Sequence, residues 1–148
     1  MRTLGVSVEP SGGHPKVHVA VVELRASEPE LVDGFTLKTA ETEPSTQAVN
    51  LARLLQGRLP GMTFEAAAIK TAGASPVPRR NRALFQRAHA EGALLFVLHE
   101  VGSVRVEAKD AQGLASLTGK KKADLESAAK VLSTPYRDAV YAALALLP

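Results

Sequence analysis

The chain contains no cysteine, which excludes disulfides and cysteine-ligated zinc and leaves His, Asp and Glu as the only metal ligands to consider. Aromatic residues make up 4% of it, too few to suit recognition of single strands by base stacking. No apolar run is long enough to cross a bilayer, since Ala90–Val101 and Ala139–Leu147 are too short or too interrupted. No basic segment followed by an apolar core stands near the first residues, so nothing marks the chain for export and the cytoplasm is the expected address. His14, His18, His89 and His99 show no metal-ligand spacing. Gly12-Gly13 and Gly73 lack the flanking pattern of phosphate-binding loops.

What is present describes an ordinary globular domain. The 148 residues fit a single domain spanning 1–148, and 45% hydrophobic with 22% charged residues is close to the globular average. The net charge of +3 is a weak pointer to an anionic partner. Its distribution says more. Lys70, Arg79, Arg80, Arg82 and Arg87 follow one another without an acid between them, whereas Glu28, Glu30, Asp33, Glu41 and Glu43 gather around Lys38. One face is expected to be basic and another acidic, although a solvated helix face accounts for the arginines equally well.

Thr3–Val8 and Lys16–Leu24 read as a strand hairpin joined by the turn-forming run Pro10 to Pro15. A third strand is expected over Gly34–Thr39, with Glu28-Pro29-Glu30 as the turn before it. Ser45 is placed to cap a helix carrying Ala48, Leu51, Ala52, Leu55 and Leu59 and stopping near Gly57 or Pro60. Phe64–Ile69 follows as a buried strand. After a loop over Ala72–Pro78, Leu84, Ala88, Leu95 and Leu98 mark the stripe of a long helix ended by Gly102. Val104-Arg105-Val106 reads as a last strand. Leu125, Ala128, Ala129 and Leu132 mark the first of two closing helices, and Pro135 opens the second behind a cap at Ser133 or Thr134. The order describes an α/β domain with a mixed five-stranded sheet, three antiparallel strands followed by two parallel ones.

Several local motifs sharpen this. Leu4-Gly5-Val6 resembles the first strand of the RuvC-type Holliday-junction resolvases, which runs Leu-Gly-Ile-Asp-Pro-Gly, and Ile69-Lys70 stands where that family has an apolar residue and a catalytic glutamate. Asn81 to Leu94 is similar to the family's long helix, Leu117 to Asp124 to its Val-x-Gly-x-Gly-x-Ala-Asp-Lys segment, and Asp138-Ala139-Val140 to the start of its last helix. Each motif alone is weak, and their order carries the likeness. The resemblance implies the ribonuclease H-like fold, a homodimer, and phosphodiester cleavage by two divalent ions held by carboxylates.

Tested residue by residue, the carboxylate set is incomplete. An ungapped match puts Ser7 at the first catalytic position, and a slip of two puts Glu9 there, on the same strand face. Lys70 brings a cation to the second position, and Tyr141 replaces a carboxylate three residues after Asp138. Glu65 is expected at the strand start, exposed. Mg²⁺ needs hard oxygen ligands, so the expectation is a degenerate, inactive site with no cofactor. Glu9 and Asp138 are the residues left to act as catalytic groups and to hold Mg²⁺ or Mn²⁺ if the domain is an active endodeoxyribonuclease. Lys70, Arg79, Arg80, Arg82, Lys120, Lys121 and Lys122 are the candidate phosphate contacts to DNA or RNA, and branched DNA is the substrate the resemblance implies. Two alternatives stay open: an active structure-selective nuclease, and an assembly module that binds no nucleic acid. The apolar last helix, Ala139–Leu147, is either buried or used in dimerisation.

Overall fold

The structure, a computed structural model, describes residues 1–73 and 82–148. Its elements are β1 (Arg2–Glu9), β2 (Lys16–Arg25), β3 (Glu28–Leu37), α1 (Pro44–Arg58) with a 3₁₀ turn at Leu59–Gly61, β4 (Ala66–Lys70), α2 (Arg82–His99), β5 (Arg105–Lys109), α3 (Ala111–Leu117), α4 (Lys122–Leu132) and α5 (Arg137–Leu146). The five strands form one sheet in the order β3-β2-β1-β4-β5. β2 is antiparallel to β1 and β3, and β1, β4 and β5 run parallel. This is the expected α/β architecture, with α3 as an addition. Asp110 caps α3 by accepting from the Gly113 N–H at 2.8 Å.

Local chemistry moves several boundaries. Glu28-Pro29-Glu30 is not a turn but the start of β3, because Ala26 and Ser27 (φ 47° and 71°) close a two-residue hairpin with Arg25 paired to Glu28. Pro29 is tolerated there because β3 is an edge strand. Glu43, not Ser45, caps α1, since Pro44 takes the first helical position and the Glu43 carboxylate accepts from the Thr46 N–H at 2.9 Å. β4 starts at Ala66 rather than Phe64, leaving Glu65 exposed just before it. Pro135 does not open the last helix, which begins at Arg137 with Asp138 in its first turn.

The sheet separates two cores. On one face Leu4, Val6, Val8, Val17, Val19 and Ile69 pack against Leu51 and Leu55 of α1 and Leu94 and Leu98 of α2. Of the expected stripe of α2 Leu98 is buried, but Leu84 and Ala88 are exposed and Leu95 is half-buried, and the other buried positions are Gln86, Ala90, Glu91, Leu94 and Val97. Polar residues take inner places because they have partners. Gln86 and Gln47 hold the tip of the β1–β2 hairpin, and Gln47 Nε2 donates to the Gly13 carbonyl at 2.7 Å.

The other face is built from small residues. Gly5 and Ala20 are cross-strand partners, as are Gly5 and Ala68, and the alanine-rich α5 lies directly over them. A Cβ on Gly5 would sit 1.8 Å from the Ala139 carbonyl oxygen, so only glycine admits this approach. Thr3 fastens the contact from below, its hydroxyl donating to the Ala143 carbonyl at 2.8 Å. Ala139 to Leu146 are all buried, which settles the open choice for this helix in favour of the interior.

Candidate nucleic-acid interface

Strand pairing brings one row of polar residues to the end of the α5-facing side. Across the sheet it reads Thr36, His18, Ser7, Lys70 and Lys109, each the register partner of the next. Ser7 and Lys70, apart in sequence, are thus neighbours on β1 and β4, and the first turn of α5 adds Asp138. Lys70 Nζ donates to Asp138 Oδ1 at 2.7 Å and stands 4.7 Å from the centre of the Tyr141 ring. Asp138 and Tyr141 face the same cation because they are three residues apart on one helix.

Tyr141 and the Lys70 backbone are both held by further contacts. Tyr141 is buried and its hydroxyl donates to the Ala111 carbonyl at 2.6 Å, with burial pushing its acidity down to a higher pKa. The Lys70 carbonyl accepts from Arg87 Nη2 at 3.4 Å, and Arg87 Nε is 3.1 Å from the Glu91 carboxylate. Glu91 is nearly enclosed. Desolvation raises its pKa against the opposing pull of Arg87.

Glu9 takes a different partner. Its carboxylate lies 2.6 Å from His18 Nε2, and His18 Nδ1 is 2.9 Å from the Thr36 hydroxyl. A carboxylate can only accept, so His18 Nε2 donates and Nδ1 is free to take the Thr36 proton. Glu9 therefore lies on the same face as Ser7 but is turned along the sheet towards β2. Among the described residues no group of three or more His, Asp or Glu gathers closely enough to hold a metal ion.

The surface here has two lobes sharing Arg137 and Asp138. A cavity of about 470 Å³ between α4 and α5 includes Lys70, Ser127, Lys130 and Tyr141. A smaller one of about 190 Å³ includes Ser7, Glu9, His18 and Arg87.

The expected basic set divides. Lys70 is in the site, while Arg82 lies at the start of α2 beside Gly13 and His14. Arg79 and Arg80 fall outside the described residues. Lys120 turns inward: its ammonium donates to the Leu144 carbonyl at 2.9 Å and also to that of Leu147, where burial lowers its pKa. It thereby satisfies carbonyls at the C-terminal end of α5, six to nine residues on from Asp138 and so about 9–14 Å along the helix. Lys121 lines a separate cavity at that end, and Lys122 pairs with Glu126 at 3.6 Å. Sequence reasoning missed Lys130 and Arg137, single cations with no charge run to draw attention to them. Only the packing of α4 against α5 brings them together.

A mixed five-stranded sheet in this order, with helices on both faces, defines the ribonuclease H-like class. Among solved structures the chain is similar to Thermus thermophilus RuvC in complex with a Holliday-junction substrate, at 20% identity and a TM-score of 0.71, covering 98% of this chain and 92% of that one. Thermus thermophilus RuvC in a second structure matches at 21% identity and a TM-score of 0.66, with the same coverage. The fold is that of RuvC. No protein-family model and no curated protein matches the sequence.

Proposed function

We propose that the chain is a resolvase-like domain that binds branched DNA and does not cut it. The observation that carries this reading is the Lys70–Asp138 ion pair over the Tyr141 ring. An ammonium fills the space beside the aspartate, where a divalent ion would need further anionic oxygen. Ser7 adds only a neutral hydroxyl, and that of Tyr141 is already donated to the Ala111 carbonyl. Glu9, the other carboxylate on this strand face, is held by His18.

Binding, by contrast, is supported by what the site retains. Lys70, Arg137 and Lys130 crowd one end of the sheet, and the RuvC of similar fold is seen with a Holliday junction. Contacts from Lys and Arg to phosphates are sequence-independent and weaken steeply with salt. We propose further that two copies act together. Phe85 and Phe96 are 58% and 65% exposed on α2, and their spacing of about three turns puts both on one outward stripe.

The test is a mobility-shift titration with a four-way junction and linear duplex, run beside a cleavage assay in Mg²⁺ or Mn²⁺. The expected result is a salt-sensitive shift favouring the junction, with the DNA intact. Cleavage that disappears in Asp138→Ala would establish the active nuclease instead. A titration that stayed flat at low salt would favour an assembly module.

A further inference from the structure

We infer that the α4–α5 cavity receives a phosphomonoester dianion, as found at the end of a nucleic-acid strand or on a free nucleoside monophosphate. The charges lining it lead there. Lys70 is matched by Asp138 at 2.7 Å, and Glu126 is matched by Lys122 at 3.6 Å. That leaves Lys130 and Arg137 facing the same space. Neither side chain makes an ion pair or hydrogen bond to another described residue.

Helix stability accounts for one of these cations and not the other. Lys130 is in the last turn of α4, where positive charge is favoured by the helix dipole. Arg137 is the first residue of α5, where positive charge is disfavoured. An anion seated between them would compensate both charges and meet the favourable end of the α5 dipole. The Ser127 hydroxyl on the same wall adds a neutral donor.

Two uncompensated cations match a phosphomonoester, which carries nearly two charges at neutral pH, better than an internal phosphodiester with one. A cavity of about 470 Å³ also leaves room for the attached sugar. Tyr141 is buried with Lys70 over its ring, so recognition falls on the phosphate and sugar rather than on a stacked base. This deepens the DNA-binding reading when the phosphate belongs to a strand end, and stands apart from it when the ligand is a free nucleotide.

The experiment titrates the whole chain, at neutral pH and low salt, with linear duplexes and four-way junctions whose ends carry phosphate or hydroxyl. A nucleoside monophosphate and its nucleoside serve as competitors. Phosphate-ended duplex should bind about tenfold tighter, the size of one charge-assisted contact. The preference should vanish in Arg137→Gln and in Lys130→Gln, whose unchanged melting would show that the fold persists. It should also fade as pH falls through about 6, where the phosphate gains a proton. Equal affinity for both ends overturns the inference and leaves DNA binding standing. Arg137-dependent binding of the nucleoside monophosphate without any binding of duplex or junction keeps the inference and overturns DNA binding. Binding of no probe overturns both.

Discussion

Lys70 and Asp138, separated by 68 positions in the chain, meet at 2.7 Å where the end of β4 reaches the first turn of α5. Asp138 is half exposed and Lys70 mostly covered, so the pair itself adds only about 1 kcal/mol at most to stability. Its importance is chemical. Lys70 neutralises the carboxylate of the last helix and puts an ammonium where a metal ion would sit.

Reversing that charge should create the ion demand that the wild type lacks. Lys70→Glu sets two carboxylates against each other, and we expect it to lose about 1–2 kcal/mol at neutral pH. Added Mg²⁺ should recover part of the loss by linkage. Thermal melts with and without Mg²⁺ check this: the variant's midpoint should rise while the wild type's does not move.

Gly5→Ala should be among the most damaging single changes. Its Cβ would fall 1.8 Å from the Ala139 carbonyl and 2.6 Å from the Ala143 nitrogen, both backbone atoms. α5 cannot retreat without opening the core beneath it. The expected loss is about 3 kcal/mol or more, measured by denaturant unfolding, and a wild-type midpoint would show that α5 does not lie this close.

Acid should weaken the domain partly through Glu43. Hydrogen bonds from the Ser45 hydroxyl and then the Thr46 and Ser45 N–H groups lower its pKa from 4.5 to about 2. A depressed folded-state pKa gives stability that is present above the unfolded value and lost as pH falls through the folded one. The gap in melting temperature between wild type and Glu43→Gln should therefore be widest near neutral pH. It should close between 4.5 and about 2. A gap independent of pH would mean the cap does not depend on charge.

The stripe on α2 gives a prediction about assembly. Phe96, 65% exposed, contributes little to its own domain, so Phe96→Glu should leave melting nearly unchanged and shift light-scattering mass from dimer to monomer. A monomeric wild type would remove the dimer from the account.

Much of this architecture is legible in the sequence because it rests on side-chain periodicity. The two runs read as a hairpin become β1 and β2, buried over most of their length, and the three- and four-residue steps of α1 and α4 each correspond to a face that is buried. The errors occur where polar residues or unusual turns override the pattern. Ala26 and Ser27 adopt positive φ without being glycine, so no turn signal marks the β2–β3 hairpin. Gln86 and Glu91 point inward on α2 because Gln47 and Arg87 satisfy them, which rotates the buried stripe away from Leu84 and Phe85.

At the site, the juxtaposition of Ser7, Lys70, Asp138 and Tyr141 was readable through motif order alone. The partners that fix their roles were not. Nothing in the spacing of Glu9 announces His18, found across the hairpin, or distinguishes the inward-turned Lys120 from its neighbours Lys121 and Lys122. These depend on contacts between elements.

Manganese binding measures the central proposition most directly. Calorimetric titration of the wild-type chain with Mn²⁺, repeated on Asp138→Ala, reads whether the aspartate holds an ion. With Lys70 in place the two titrations should be indistinguishable and show no saturable site. A saturable wild-type site abolished by Asp138→Ala would contradict the account.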